Sequence, residues 1–411
     1  MSFKINKKVW MIGTLAIIFC AGIFYKVWPQ IIFNDIQYAS PSETIPEIDT
    51  DEEKSTLLDK LFSSKDTEVK PVESTVVASH IETPSAVKAV YISSWVAGSP
   101  SFRDAIIKLI DETELNAVVI DIKDSTGRIS FGVDDLLVSR YGSSENRIAN
   151  IHALVEMLHK KNIYIIGRIS VFQDPYMTKI KPEWAITKKS DGTVWKDRKG
   201  LSFLDPANKN VHDYIIALAH ESYRYGFDEI NFDYIRYPSD GNLKDINYHL
   251  VDGKTRADNI ESFFKYLNKE MKKNNNIPMS AVVFGLTTEV SDDMGIGQVW
   301  EKAFPYFDYL SPMIYPSHYP PGHAGFKNPA AYPYEVIKRA LEGAIIKTNA
   351  IGGDIQKIRP WLQDFDMGAT YTKELVRAQI KATYDVKLTS WMLWDPRNKY
   401  TREALLLETN P

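Results

Sequence analysis

The chain has 411 residues, 44% of them hydrophobic and 12% aromatic, which is enough for one large domain with appendages. Its net charge of −4 lacks the basic footprint of a nucleic-acid binder, so no nucleic-acid partner is expected. The one cysteine, Cys20, excludes a disulfide framework and a multi-cysteine metal site.

Lys4, Lys7 and Lys8 precede an apolar run from Val9 to Tyr25, which Lys26 closes and Val27 to Phe33 can extend. A membrane helix needs about 17 to 25 such residues, and a basic flank holds the preceding end in the cytoplasm. Residues 1–33 therefore read as a cytoplasmic tip and a single-pass transmembrane anchor, with the remainder extracytoplasmic. The membrane is a partner through this helix. Residues 34–86 are rich in Ser, Thr, Pro and acidic residues. They bury too little apolar surface to offset their ordering entropy and are expected to be a flexible spacer.

From residue 87 to 411 short apolar runs alternate with amphipathic stretches. Strands are expected at Lys88–Ser94, Ala117–Lys123, Ile163–Ile169, Tyr225–Pro238, Met279–Gly285, Tyr309–Tyr315, Lys357–Gln363 and Leu388–Leu393. Helices are expected between them at Ser101–Thr113, Ile148–Lys161, Asn210–Tyr225, Arg256–Lys273, Val299–Phe304, Pro333–Lys347 and Thr372–Asp385. This rhythm predicts a (β/α)₈ TIM barrel. An open doubly wound sheet should show a Gly-rich turn after its first strand, and none follows Ser94.

The fourth strand is the most informative. In Glu229-Ile230-Asn231-Phe232-Asp233-Tyr234-Ile235-Arg236-Tyr237-Pro238, period-two alternation puts Glu229, Asn231, Asp233 and Ile235 on one face. A carboxylate at the buried end of a strand is costly unless paired or used. Asp233 is thus either a catalytic residue or half of an ion pair with Arg236. Asp228 and Glu229, at the strand entry, read as solvated.

Barrel active sites lie at the C-terminal strand ends. The polar residues expected there include Asp121, Lys123, Arg168, Asp233, Arg236, Tyr315, Gln363, Asp364 and Asp395. Asp121 and Lys123, two apart, could neutralise each other, and Asp395 before Pro396 could instead be a turn former. Trp95, Trp361 and Trp394 fall beside the same ends and offer faces on which sugar rings stack. Several carboxylates with arginines among them suit glycoside hydrolysis, which uses two carboxyl groups in different environments. The histidines form no His-Glu-x-x-His pattern, and no Gly-x-Ser-x-Gly elbow is present. Neither a metal nor a cofactor is expected.

Four stretches carry a resemblance: Asn116 to Asp124, Gly226 to Pro238, Ser311 to Pro316 and Arg359 to Phe365. With them the chain from Val90 to Pro396 resembles a bacterial family of glycosyl-hydrolase-like TIM-barrel domains, often membrane-anchored. The resemblance implies a glycosidase-like barrel. The fourth strand is also similar to the chitinase pattern Asp-Gly-x-Asp-x-Asp-x-Glu, but Ile235 stands where that family has its acid, and Pro316 replaces an aspartate. The expected function is therefore glycoside hydrolysis of a cell-envelope or exopolysaccharide chain. Asp233 would be nucleophile or base, with Asp364 or Asp121 as acid. Lys123, Arg168 and Arg236 would tune these groups and bind polar substrate groups, beside Tyr315, Gln363 and Asp395. The alternatives are a non-catalytic polysaccharide-binding barrel and, more distantly, a metal-dependent deacetylase.

Overall fold

The computed structural model describes residues 78–250, 253–273 and 275–407. The expected anchor at 1–33 lies outside them, as does most of the expected spacer. Among the described residues no helix is long and apolar enough to cross a membrane.

Eight parallel strands close into a barrel: β1 (Lys88–Ile92), β2 (Ala117–Lys123), β3 (Tyr164–Ser170), β4 (Glu229–Asp233), β5 (Met279–Phe284), β6 (Tyr309–Met313), β7 (Trp361–Gln363) and β8 (Trp391–Trp394). Each pairs with its neighbours in sequence, and β8 closes on β1 with Ala89 opposite Met392. The helices between them are α1 (Pro100–Asp111), α2 (Ile151–Lys160), α3 (Lys209–Arg224), α4 (Arg256–Lys272), the short α5 (Trp300–Ala303), α6 (Pro333–Ala350) and α7 (Lys373–Asp385). The expected order of strands and helices holds throughout. The seventh strand is shorter than the run Lys357–Gln363 suggests, because Pro360 has no N–H to donate. One pairing was not foreseen: Thr187–Lys188 and Ile246–Asn247, from the loops after β3 and β4, form a small antiparallel ribbon.

Alternation along the strands sorts the core into two layers. Ile120, Ile122, Ile165, Ile169, Ile230 and Phe232 face outward and pack beneath the helices. Tyr91, Val119, Tyr164, Ile166, Val282, Trp361, Met392 and Trp394 fill the interior. Full burial of side chains this size contributes about 1.5–3 kcal/mol each, so the filled barrel is a core and not a channel.

The placement of β4 begins at the end of α3. Gly226 takes φ = 102°, which a side-chain-bearing residue resists. Its N–H bonds Tyr223 O at 2.9 Å, and Phe227 N–H bonds Ser222 O at 3.3 Å, the two bonds of a Schellman turn. The chain therefore enters β4 in fixed register. Asp228 and Glu229 are buried, not solvated. Asp228 Oδ2 accepts from Ile165 N at 2.8 Å and contacts His159 Nε2 at 3.1 Å, while Oδ1 accepts from Ile81 N at 2.7 Å. Glu229 lies inside the barrel, with Arg359 Nη1 at 2.9 and 3.0 Å from its two oxygens and Ser280 Oγ at 2.6 Å. Alternation alone does not show that these charges have buried partners far away in the sequence. The bond to Ile81 also shows that residues 78–86, the expected end of the spacer, pack on the barrel floor. There Thr83 Oγ1 meets Tyr164 OH at 2.9 Å, and the His80 ring stacks on Tyr223 at 3.9 Å.

Candidate active site

Three inward residues of β4 form a polar ladder: Glu229 at the floor, Asn231 above it, and Asp233 at the mouth end. Asp233 lies opposite Ser170 of β3, and Arg168 of β3 lies opposite both Asn231 and Asp121 of β2. Arg168 therefore starts one step below Asp233 and reaches up to it. Its Nε and Nη2 donate to Asp233 Oδ2 at 3.0 and 2.7 Å, and its Nη1 donates to Asp121 Oδ1 at 2.6 Å. One guanidinium thus bridges two buried carboxyl groups. The sequence-based alternative of an Asp233–Arg236 pair does not form: Arg236 Nη1 donates to Tyr237 O at 3.0 Å and its plane lies over the Tyr234 and Phe284 rings.

The other Asp121 oxygen, Oδ2, accepts from Tyr91 OH at 2.6 Å. Burial pushes the Asp121 carboxyl above its usual range, and the charge of Arg168 and the bond from Tyr91 pull against that shift. The phenol of Tyr91 is itself raised, first by burial and then by the Asp121 charge. On Asp233, Oδ2 is occupied by Arg168, while Oδ1 accepts the N–H of Tyr234 at 2.6 Å. Since each carboxylate oxygen has two lone pairs, Oδ1 keeps one for a reacting group.

Strand β4 ends abruptly at this point. Tyr234 has φ = 52°, unusual for a bulky residue and costing about 1–3 kcal/mol. Its carbonyl accepts from Phe172 N at 3.3 Å, one of the bonds that hold the turn. The turn breaks the alternation expected through Ile235, which instead joins the outer core. The chitinase-like position at Ile235 therefore does not share Asp233's face.

Above the ladder is a cavity lined by Arg168, Asp233, Val282, Met313, Tyr315, Trp361 and Trp394. Its volume of about 10 Å³ is room for about one water and far below the roughly 300–1,000 Å³ of common ligand pockets, so in this conformation a sugar unit can only lie above it. Trp394 stacks on Tyr91 at 3.9 Å and meets Trp361 edge-on at 5.6 Å, and Arg168 lies 5.3 Å from its ring. Trp95 stands apart on a short helix after β1 (Ser94–Gly98), 63% exposed, with the Arg147 guanidinium 4.8 Å from its ring.

The remaining expected site residues are engaged elsewhere. A bulge between Asp121 and Lys123 turns Lys123 out of register, and its ammonium is fully buried against Asp174 Oδ2 at 2.6 Å. It does not neutralise Asp121. Gln363 accepts from Ser317 Oγ at 2.8 Å, bracing the loop after β6. Asp364 takes Thr401 Oγ1 on Oδ1 at 2.7 Å and Thr401 N on Oδ2 at 2.8 Å, and burial pushes its pKa up to about 7. It is not among the residues lining the cavity, because the strand alternation that aims Gln363 inward aims Asp364 at the chain beyond β8. Asp395 closes a turn, accepting from Arg397 N at 2.5 Å. Sequence reasoning missed Tyr91, Val282 and Met313. The available signal was alternation on β1 and β5, which puts Tyr91 on the face of Ala89 and Val282 on that of Ser280.

Residues 89–400 match the family model described as "Putative glycosyl hydrolase domain". A hypothetical protein from Ruminiclostridium thermocellum ATCC 27405, solved by crystallography, is 32% identical, covering 50% of this chain and 98% of its own, with a TM-score of 0.43. The PgaB (BpsB) glycoside hydrolase domain from Bordetella bronchiseptica is 11% identical, covering 79% of this chain and 100% of its own, with a TM-score of 0.55. That second likeness is one of fold. No curated protein matches the chain.

Proposed function

Because the chain belongs to this glycosyl hydrolase domain family, we propose that it hydrolyses glycosidic bonds in a cell-envelope or exopolysaccharide chain, with Asp233 acting at the anomeric carbon. The observation that carries the reading is that Asp233 is the one carboxylate among the residues lining the cavity, backed by a buried arginine. Arg168 supplies the counter-charge that a buried carboxylate needs, while Oδ1 keeps a lone pair for attack or for activating water. Of the two acid candidates, Asp121 fits better. It shares Arg168 with Asp233, and burial favours its protonated form, so the two carboxyl groups stand in different environments. Asp364, with both oxygens on Thr401, has no such relation to Asp233.

The same proposal places the domain outside the cytoplasm. Lys4, Lys7 and Lys8 before the apolar run of Val9 to Phe33 support an N-terminal membrane anchor. The small cavity and the exposed Trp95 support a polymer lying across the mouth.

The test is release of reducing ends from a panel of envelope and secreted polysaccharides by full-length protein and by Asp233→Asn. Hydrolysis by wild type and loss of at least about a thousandfold in the variant are expected. The variant should lose about 3–5 kcal/mol of stability, since Asn keeps the shape and the bond from Tyr234 N but its amide nitrogen cannot accept the two bonds from Arg168. A folded Asp233→Asn protein that still hydrolyses would refute the assignment. A second reading rests on the presence of a single lining carboxylate: a barrel that binds polysaccharide without cutting it. Equal binding by both proteins, with no reducing ends from either, would establish it.

A further inference from the structure

The chain of contacts at the mouth does not stop at Asp121. Tyr91, at the end of β1, donates to Asp121 Oδ2 at 2.6 Å, and its ring is held in place by Trp394, stacked at 3.9 Å and 19°. Its backbone is gripped as well. The chain beyond β8 folds back across the end of β1: Asn398 Nδ2 donates to Tyr91 O at 3.4 Å, Tyr400 OH bonds the same carbonyl, and Ser93 N donates to Asn398 Oδ1 at 3.0 Å. This returning segment is itself tied down at both ends, by the Asp395 turn and by Thr401 on Asp364. A tyrosine needed only to fill space would not require ring, hydroxyl and carbonyl to be fixed separately.

We propose that Tyr91 is a positioning residue for the site: its hydroxyl fixes Asp121, Asp121 orients Arg168, and Arg168 holds Asp233, with the segment Asp395–Thr401 as the clamp on Tyr91. The role in hydrolysis rests on the function proposed above, whereas the coupling of Tyr91 to Asp121 does not. The groups that bear on Asp121 are Tyr91 from β1, Arg168 from β3 with Asp233 beyond it on β4, and Asp124 from the turn after β2. Of these, Tyr91 is the one whose contribution can be removed by deleting a single oxygen. The phenol bond favours the ionised Asp121, so its loss makes the carboxyl harder to ionise.

The experiment uses full-length protein and Tyr91→Phe, which keeps the stack on Trp394. Aspartate labelled with ¹³C at Cγ is titrated by NMR, and the Asp121 signal is identified by its absence in Asp121→Asn. The Asp121 midpoint should rise by about one pH unit in Tyr91→Phe. In hydrolysis assays kcat should fall by about ten- to a hundredfold with KM within about twofold, the size expected for one hydrogen bond to a charged group. The alkaline limb of the pH–rate profile should move upward, because Asp121 stays protonated to higher pH. An unchanged Asp121 midpoint would overturn the proposal, whatever the activity. If wild type cuts no polysaccharide, the functional reading fails alone, and the titration still decides whether Tyr91 sets Asp121.

Discussion

Replacing Arg168 by Leu removes the one cation between two buried carboxyl groups. The native guanidinium spends three N–H donors there, at 3.0 and 2.7 Å on Asp233 and 2.6 Å on Asp121. The side chains of Arg168, Asp121 and Asp233 are 6%, 4% and 10% exposed, so water screens little of the loss. Breaking a buried pair by deleting one partner typically costs about 3–5 kcal/mol, and that is the loss expected at pH 7.5. The sign of its pH dependence follows from Asp121. Burial already holds this carboxyl above the unfolded value, and losing Arg168 removes the largest opposing influence and raises it further. A folded-state pKa above the unfolded one means stability that is present at low pH and lost as pH rises through the folded value. The Arg168→Leu penalty should therefore shrink on going from pH 7.5 to pH 4.5. Urea unfolding of both proteins at the two pH values measures it, and contributions common to both, such as that of Asp364, cancel in the difference. A loss below about 1 kcal/mol at pH 7.5, or an equal loss at both pH values, would show that Arg168 is not the hub of the site.

Asp364 predicts a second pH effect, this time in the wild-type protein. Its pKa of about 7 against an unfolded 3.8 corresponds to a stability term on the order of 4 kcal/mol, present below about pH 4 and lost progressively by about pH 7. Asp364→Asn should flatten the stability curve across that window, and an unchanged slope in denaturant titrations would contradict the burial argument. At the floor, Arg359→Leu should cost about 3–5 kcal/mol by leaving Glu229 buried and unpaired, while Glu229→Met with Arg359→Leu should recover most of it. Unfolding of the single and double variants compares the two, and a double variant no more stable than the single would argue that the pair itself, not the orphaned charge, carries the energy.

The barrel is legible in the amino-acid sequence. The period-two runs and the amphipathic stretches between them dictate it, because parallel strands covered by helices must bury both faces and strands joined by single helices must lie side by side. The same alternation singles out Asp233 as an inward carboxylate at the C-terminal end of its strand, and it places Arg168 and Asp121 at the corresponding ends of their own strands. What alternation cannot reach is the partner of each charge. Which of Arg168, Arg236 and Lys123 serves Asp233 depends on a bulge in β2 that withdraws Lys123 to Asp174, and on the left-handed turn at Tyr234 that ends β4. Burial of Asp228 and Glu229 depends on Ile81 and Arg359, far away in sequence. The role of Tyr91 depends on the chain beyond β8 folding back on β1. Periodicity is a property of neighbouring residues, so residue order alone dictates the barrel and the face on which its charges lie. Pairing energies act between side chains that barrel closure brings together. Which carboxylate is held by which cation, and that Asp233 is the one facing the cavity, is therefore settled in three dimensions.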